Sequence, residues 1–243
     1  MTWDWQVFLQ DTGGGQTYLD WMLSAWGWTL AVALLALSIA LVFGALVGTV
    51  RTLPNHRLSF RLAIGAGHAW VEIFRNVPLL VQIFIWYHVI PALVPAFKGL
   101  PGFVLVVAAL GLFTSARIAE QVRAGIQSLP RGQRYAAMAL GMTTAQSYRL
   151  VILPMAFRII IPPLTSESMN IIKNSSVAFA VSVAELTLFA LQAQEETSRG
   201  IEVYLAVTSL YMVSAFTVNR LMAFIERQVR VPGLIAAGQA GGH

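Results

Sequence analysis

The amino-acid sequence predicts an all-α integral membrane protein with five transmembrane helices and one short membrane-embedded segment. Three observations carry that expectation. Of 243 residues, 57% are hydrophobic and only 11% charged, whereas ordinary soluble domains are roughly half apolar and about a quarter charged. The stretch from Ser24 to Val50 carries no charge at all, and about 20 apolar residues suffice to cross the hydrocarbon of a bilayer. Lys and Arg gather in alternate connecting segments, the pattern left when positive loops stay on the cytoplasmic side.

The first span is expected over about 24–50, with Trp21, Trp26 and Trp28 at its start as an interfacial aromatic belt. No Lys, Arg or His precedes Arg51, while Asp4, Asp11 and Asp20 precede the apolar run, so the basic start of a signal peptide is missing and the helix is expected to stay. A second span over 63–94 is interrupted at Arg75-Asn76-Val77-Pro78, where a kink is expected. The third, 102–121, follows the turn Leu100-Pro101-Gly102 and ends in charged residues. The fourth, 152–172, holds Arg158, Pro162-Pro163 and Glu167, so it has to face protein or water more than lipid. Residues 177–193 are apolar but broken by Glu185, and read as the embedded segment ahead of a last span at 203–224.

With the N-terminus outside, the inner segments carry Arg51, Arg57 and Arg61, then Arg117, Arg123, Arg131, Arg134 and Arg149, then Arg220, Arg227 and Arg230, while the outer ones hold only Lys98 and Arg199. That asymmetry places residues 1–23 in the periplasm and the tail 227–243 in the cytoplasm around a membrane domain at 24–226. A sixth full span would put the C-terminal arginines outside. The formal charge of +5 therefore reports orientation rather than a nucleic-acid partner.

Other chemistries leave little trace. There is no Cys, hence no disulfide framework or thiolate metal site. The four His (His56, His68, His88, His243) have no metal-ligand spacing. No phosphate-binding Gly-x-x-x-x-Gly-Lys-Ser/Thr loop is present, and Gly13-Gly14-Gly15 lacks the strand and helix of a nucleotide site. No catalytic residue, metal or bound cofactor is expected on this chain. An ion-gradient carrier would show inverted repeats, and no self-similar halves are visible; a membrane enzyme would need a convergent catalytic cluster.

Charged groups inside a membrane are expensive and mark functional positions. Arg75, beside the proline-broken Pro78-Leu79 step, offers a cation to a substrate carboxylate, and Gln82 lies seven residues on, at helical spacing. The alternative is an Arg that snorkels or pairs with Glu72. Glu167, Asn170 and Asn174 form one polar stripe that lines a pathway or glues helices, with Arg158 or Lys173 as neutralising partner. Arg117 and Glu120, three apart, are expected to pair near the cytoplasmic end.

Between the third and fourth spans lies a polar segment, 127–153, containing Tyr135, Ala136, Ala137, Gly141 and Leu153, with Pro154 immediately after it. Small residues let a partner's cleft approach the backbone, Gly141 turns the chain, and Pro154 stiffens the start of the next helix. The pattern resembles the EAA loop by which ABC-importer permeases grip their ATPases. The Glu that opens the family motif is Tyr135 here, which excludes a salt bridge from that position but not docking by shape. Val71-Glu72-Ile73-Phe74-Arg75-Asn76-Val77-Pro78, Glu120-Gln121-Val122-Arg123-Ala124-Gly125 and Ser166-Glu167-Ser168-Met169-Asn170-Ile171-Ile172-Lys173-Asn174 resemble the polar amino acid permease family, and Asp4-Trp5, Tyr18-Leu19 and Arg51-Thr52-Leu53-Pro54-Asn55 are similar to its glutamate/aspartate branch. The resemblance implies the type I ABC importer permease fold in a bacterial inner membrane. It also implies as partners a cytoplasmic ABC ATPase dimer carrying ATP and Mg, a second related permease or a copy of this chain, and a periplasmic amino acid binding protein. Glutamine, arginine or histidine are the alternative substrates.

Overall fold

The computed structural model describes residues 3–55 and 57–229, so His56 and the tail from Arg230 to His243 lie outside the described residues. Among the described residues ten α-helices follow in order: α1 (Tyr18–Val50), α2 (Leu58–Asn76), α3 (Leu79–Phe84), α4 (Ile90–Leu93), α5 (Gly102–Gln127), α6 (Arg131–Ala139), α7 (Thr144–Ser147), α8 (Leu153–Asn174), α9 (Leu186–Thr197) and α10 (Gly200–Val229). No β-strand occurs among the described residues. That is the outcome a bilayer imposes on a chain with no barrel pattern, because each backbone N–H and C=O needs a partner inside its own segment.

Among the described residues four helical stretches are long and apolar enough to cross a membrane: Tyr18–Val50, Gly102–Gln127, Thr144–Val181 and Gly200–Val229. The pair Leu58–Asn76 and Leu79–Leu93 makes a fifth if it counts as one broken span. The break falls at Val77–Pro78 for a local reason. Pro78 has no N–H to give, and the residue ahead of a proline is driven out of helical geometry. The carbonyl freed at Val77 is capped by the side-chain amide of Gln82 at 2.9 Å.

The apolar run at 177–193 is not one helix. Ser175–Val181 forms a 3-10 helix that ends on Ser182 in left-handed geometry (φ 58°), and α9 starts after Glu185. Glu185 caps it by accepting from the Thr187 and Leu188 N–H groups, and its carboxylate also takes the Tyr211 hydroxyl at 2.7 Å. The charge that interrupts the hydropathy is thus the start signal of a separate helix.

The chain divides into two compact units. The first draws on the stretches 3–39, 77–113 and 169–217. Its core joins Val7, Phe8, Met22, Phe189, Ala193 and Val203, and its N-terminal segment is tied down by Asp4, which pairs with Arg199 at 3.3 Å and donates its N–H to Glu202. Tyr18 donates to Glu196 at 2.8 Å.

The second unit draws on 40–76, 114–168 and 218–229. Here α1 and α5 approach at near-backbone contact. A Cβ placed on Gly48 would stand 2.6 Å from the Ala119 carbonyl and 2.6 Å from Val122 Cβ, and one on Gly44 would meet Ile118 at 2.6 Å. Small residues at helix contacts are the usual means of membrane helix association, since lipid gives no hydrophobic drive between helices. Tyr148, Ile152, Ala156 and Ile160 pack against Ile118, Val122 and Ile126, and Tyr148 donates its hydroxyl to the Thr52 carbonyl. Gly48→Ala is expected to lower stability by about 1–3 kcal/mol through overpacking, whereas Gly27→Ala, where a Cβ meets nothing within 4 Å, is expected to cost nothing. Thermal unfolding of the two variants in detergent checks the contrast.

Candidate functional site

Two groups of residues in the second unit have the chemistry of a site. The first is the segment between α5 and α8. Pro130 opens α6, and the helix closes in a Schellman arrangement: Met142 N–H donates to the Ala137 carbonyl at 3.1 Å and Gly141 N–H to the Met138 carbonyl at 3.0 Å. Gly141 sits at φ +77°, a conformation that costs a side-chain-bearing residue about 1–2 kcal/mol. Thr143 and Gln146 then form a reciprocal capping box that starts α7. The result is a short helix closed at its C-terminus by its own backbone bonds, followed by a second helix with its own N-cap.

Its surface differs from the small-residue face read from the sequence. Ala136 is exposed, but Ala137 is only 3% exposed and packs inward. The outward positions are Tyr135, Met138 and Leu140, the last 79% exposed. Sequence reasoning missed Met138 and Leu140, because helix registration decides which apolar residues are turned out. Leu153 is half-buried against the Tyr148–Ile152 cluster, and Pro154 is exposed in the first turn of α8.

The second group is a cavity of about 320 Å3 lined by Arg75, Arg117, Glu120, Gln121 and Glu167. Glu167 is deeply buried, with a side chain 5% exposed. Arg117 grips it through two parallel bonds, Nε to Oε2 at 2.8 Å and Nη2 to Oε1 at 3.0 Å, and Gln121 Nε2 adds a third at 3.1 Å. A bidentate fork is the geometry that offsets the desolvation of a buried carboxylate. Glu120 turns elsewhere: it accepts from the buried Arg51 and from Arg123 at 3.0 Å, and Arg51 also meets His68 Nδ1 at 3.2 Å.

These contacts correct several expectations. Arg117 and Glu120 do not pair, because each has a partner on another element of the fold. Glu167 is neutralised by Arg117 rather than by Arg158 or Lys173, both of which are exposed. Arg75 does not pair with Glu72, whose carboxylate takes the Asn76 amide at 2.8 Å; Arg75 is exposed and lines the cavity. Arg75 and Gln82 do not share a helical face, since α2 ends at Asn76 and Gln82 belongs to α3, where it is buried. Pro78 is the residue before α3 and Leu79 its first. Asn170 and Asn174 lie in α8 with Glu167, each half-buried.

Residues 40–231 match the family model described as binding-protein-dependent transport system inner membrane component, and the chain belongs to that family. It is a multi-pass inner-membrane protein. It is 43% identical over 242 residues to the glutamate/aspartate import permease protein GltJ of Escherichia coli, covering 95% of this chain and 96% of that one. It is 35% identical over 201 residues to the probable glutamine ABC transporter permease protein GlnM of Bacillus subtilis, covering 83% and 89%. Among solved structures, the crystal structure of an amino acid ABC transporter with histidines superposes with a TM-score of 0.76 at 31% identity, covering 94% of this chain and all of that one. The fold is thus that of a type I ABC importer permease.

Gly141→Ala is expected to weaken the α6 cap by about 1–2 kcal/mol, while Gly132→Ala, which meets open space at the start of the helix, leaves it unchanged. Hydrogen exchange over residues 136–147 reads the difference.

Proposed function

We propose that this chain is the membrane-spanning permease subunit of an ATP-driven, binding-protein-dependent importer of glutamate and aspartate. The observation that carries the reading is end-to-end likeness, at 43% identity, to a glutamate/aspartate import permease; the likeness to a glutamine permease is weaker at 35%. On this reading residues 1–23 are periplasmic, 24–226 form the membrane domain with five spans and an embedded segment at 177–193, and 227–243 are cytoplasmic.

The chain holds no ATPase site of its own. ATP and Mg act on a dimer of cytoplasmic ABC ATPases, which docks on segment 127–153 through Tyr135, Ala136 and the turn at Gly141, with Ala137, Leu153 and Pro154 as its internal support. The short capped helix suits that role physically. Closed at its C-terminus by its own backbone bonds and followed directly by the capped start of α7, it moves as one piece, and Tyr148 and Ile152 link it to the start of α8. A second, related permease or a second copy completes the membrane part, and a periplasmic binding protein delivers the amino acid.

Arg75, Glu167, Asn170 and Asn174 line the substrate pathway in this reading, with Pro78, Leu79 and Gln82 shaping the broken span. Met138→Glu tests the assignment. Met138 is exposed, so folding is retained, while ATPase copurification and ATP-driven glutamate uptake by the reconstituted complex fall by about tenfold or more, the loss expected from one interface hot spot. Undiminished retention and uptake would contradict the docking role.

A further inference from the structure

The charges that line the cavity at Glu167 are unevenly paired. Arg117 and Glu167 neutralise each other, and Glu120 is shared by two guanidiniums, Arg51 and Arg123. Arg75 has no carboxylate partner among the described residues, yet it lines the same cavity. Arg117 commits only its Nε and one Nη2 donor to Glu167, although a guanidinium carries five N–H donors in a planar fork. Its side chain is 46% exposed while that of Glu167 is 5% exposed, so the pair is open on the arginine side. Gln121 Oε1 is buried with no hydrogen-bond partner among the described residues, an acceptor left unmet beside the carboxylate.

Each vacancy has a counterpart on one class of ligand. Two guanidiniums with spare donors match two carboxylates, and one carboxylate beside a free amide oxygen matches an ammonium group. A dicarboxylic amino acid carries one negative charge overall, which Arg75 balances while Glu120 stays with Arg51 and Arg123. An amide side chain brings no charge to the second guanidinium and leaves it desolvated without compensation.

Building on the functional reading above, we propose that Arg117 is the specificity-determining residue of this cavity: with Arg75 it takes the two carboxylates of an acidic amino acid, while Glu167 and the Gln121 carbonyl oxygen take the ammonium. The Arg117–Glu167 pair is then the resting state of the site. Substrate replaces part of the fork with equivalent charge pairs, so the buried carboxylate is never left bare.

Binding of labelled glutamate to the purified complex, this chain with the subunits that copurify with it and no binding protein, tests the assignment. Aspartate is expected to compete, and glutamine only at concentrations about tenfold or more higher, a difference of about 1.4 kcal/mol or more. Glutamine competing as well as aspartate, or no saturable glutamate binding at millimolar concentration, would overturn it. Arg117→Gln is expected to lose that preference and to bind glutamate about tenfold more weakly. Should it fail to assemble, Arg117→Lys, which keeps a cation beside Glu167 without the fork, is expected to show the same weakening; full glutamate preference in whichever variant assembles would contradict the proposal. ATP-driven uptake by the wild-type complex with its binding protein separates the two levels. Glutamate import that persists alongside an unchanged preference in the variant refutes the role of Arg117 alone, whereas no glutamate import by the wild type refutes the importer reading itself.

Discussion

The fold depends on a constraint the bilayer sets: a charge inside it has to be paired with good geometry, and backbone polar groups have to be satisfied locally. Helix α5 meets that constraint for the second unit. Within three turns it presents Arg117 to Glu167, Glu120 to Arg51 and Arg123, and Gln121 to Glu167. These bonds fix the rotation of α5 against α1 and α8, and the close contacts at Gly44 and Gly48 fix its distance. Breaking one partner costs more than the bond itself, because the survivor is then a buried lone charge.

The same ties give the site its character. A fully satisfied buried network only holds helices together, but here the pairing is uneven. Among the described residues Glu120 is shared by two cations, Arg75 is left without a carboxylate, and the Gln121 side-chain oxygen has no donor. Such an imbalance adds nothing to stability, and the acidic amino acid proposed for the cavity would complete it. Near the other end of the unit, the α6 segment shows the complementary arrangement. Its backbone is closed at the C-terminal end by the Gly141 turn, while its apolar side chains Tyr135, Met138 and Leu140 are turned out and stay exposed among the described residues.

The fold class was legible because the strongest signals are compositional and local. An uncharged run longer than a bilayer is thick can hardly be anything but a span, and Pro78 dictates a break wherever the rest of its helix lies. Gly141 was readable for the same reason, since a left-handed cap leaves few other choices of residue. The residues around Glu167 were not legible. Arg117 lies 50 positions away in sequence, and nothing in either helix distinguishes it from Arg158 or Lys173, which sit nearer along the chain. Local spacing favoured the three-residue pairs Arg117–Glu120 and Glu72–Arg75; tertiary packing overrode the first, and the Asn76 amide, one residue further along the same helix, took the Glu72 carboxylate of the second. For the run 177–193 the break at Glu185 was visible but its cause was not: averaged hydropathy cannot tell a charge that interrupts a span from one that caps a new helix, as Glu185 does. Ala137 shows the limit of motif reading, since a small residue serves equally well for close packing inward or for outward access.

The central claim is that the α6 segment faces the cytoplasm and takes its motion from a separate ATPase. The chain contains no Cys, so a single Leu140→Cys substitution gives a unique probe at a highly exposed position. Inverted and right-side-out membrane vesicles holding the assembled complex are treated with a membrane-impermeant maleimide and, separately, with a short bifunctional cross-linker. The account predicts labelling in inverted vesicles only, and a cross-link to the ATPase subunit that changes in yield when ATP is added. Labelling from the outer face, or no cross-link to any nucleotide-binding subunit, would contradict it.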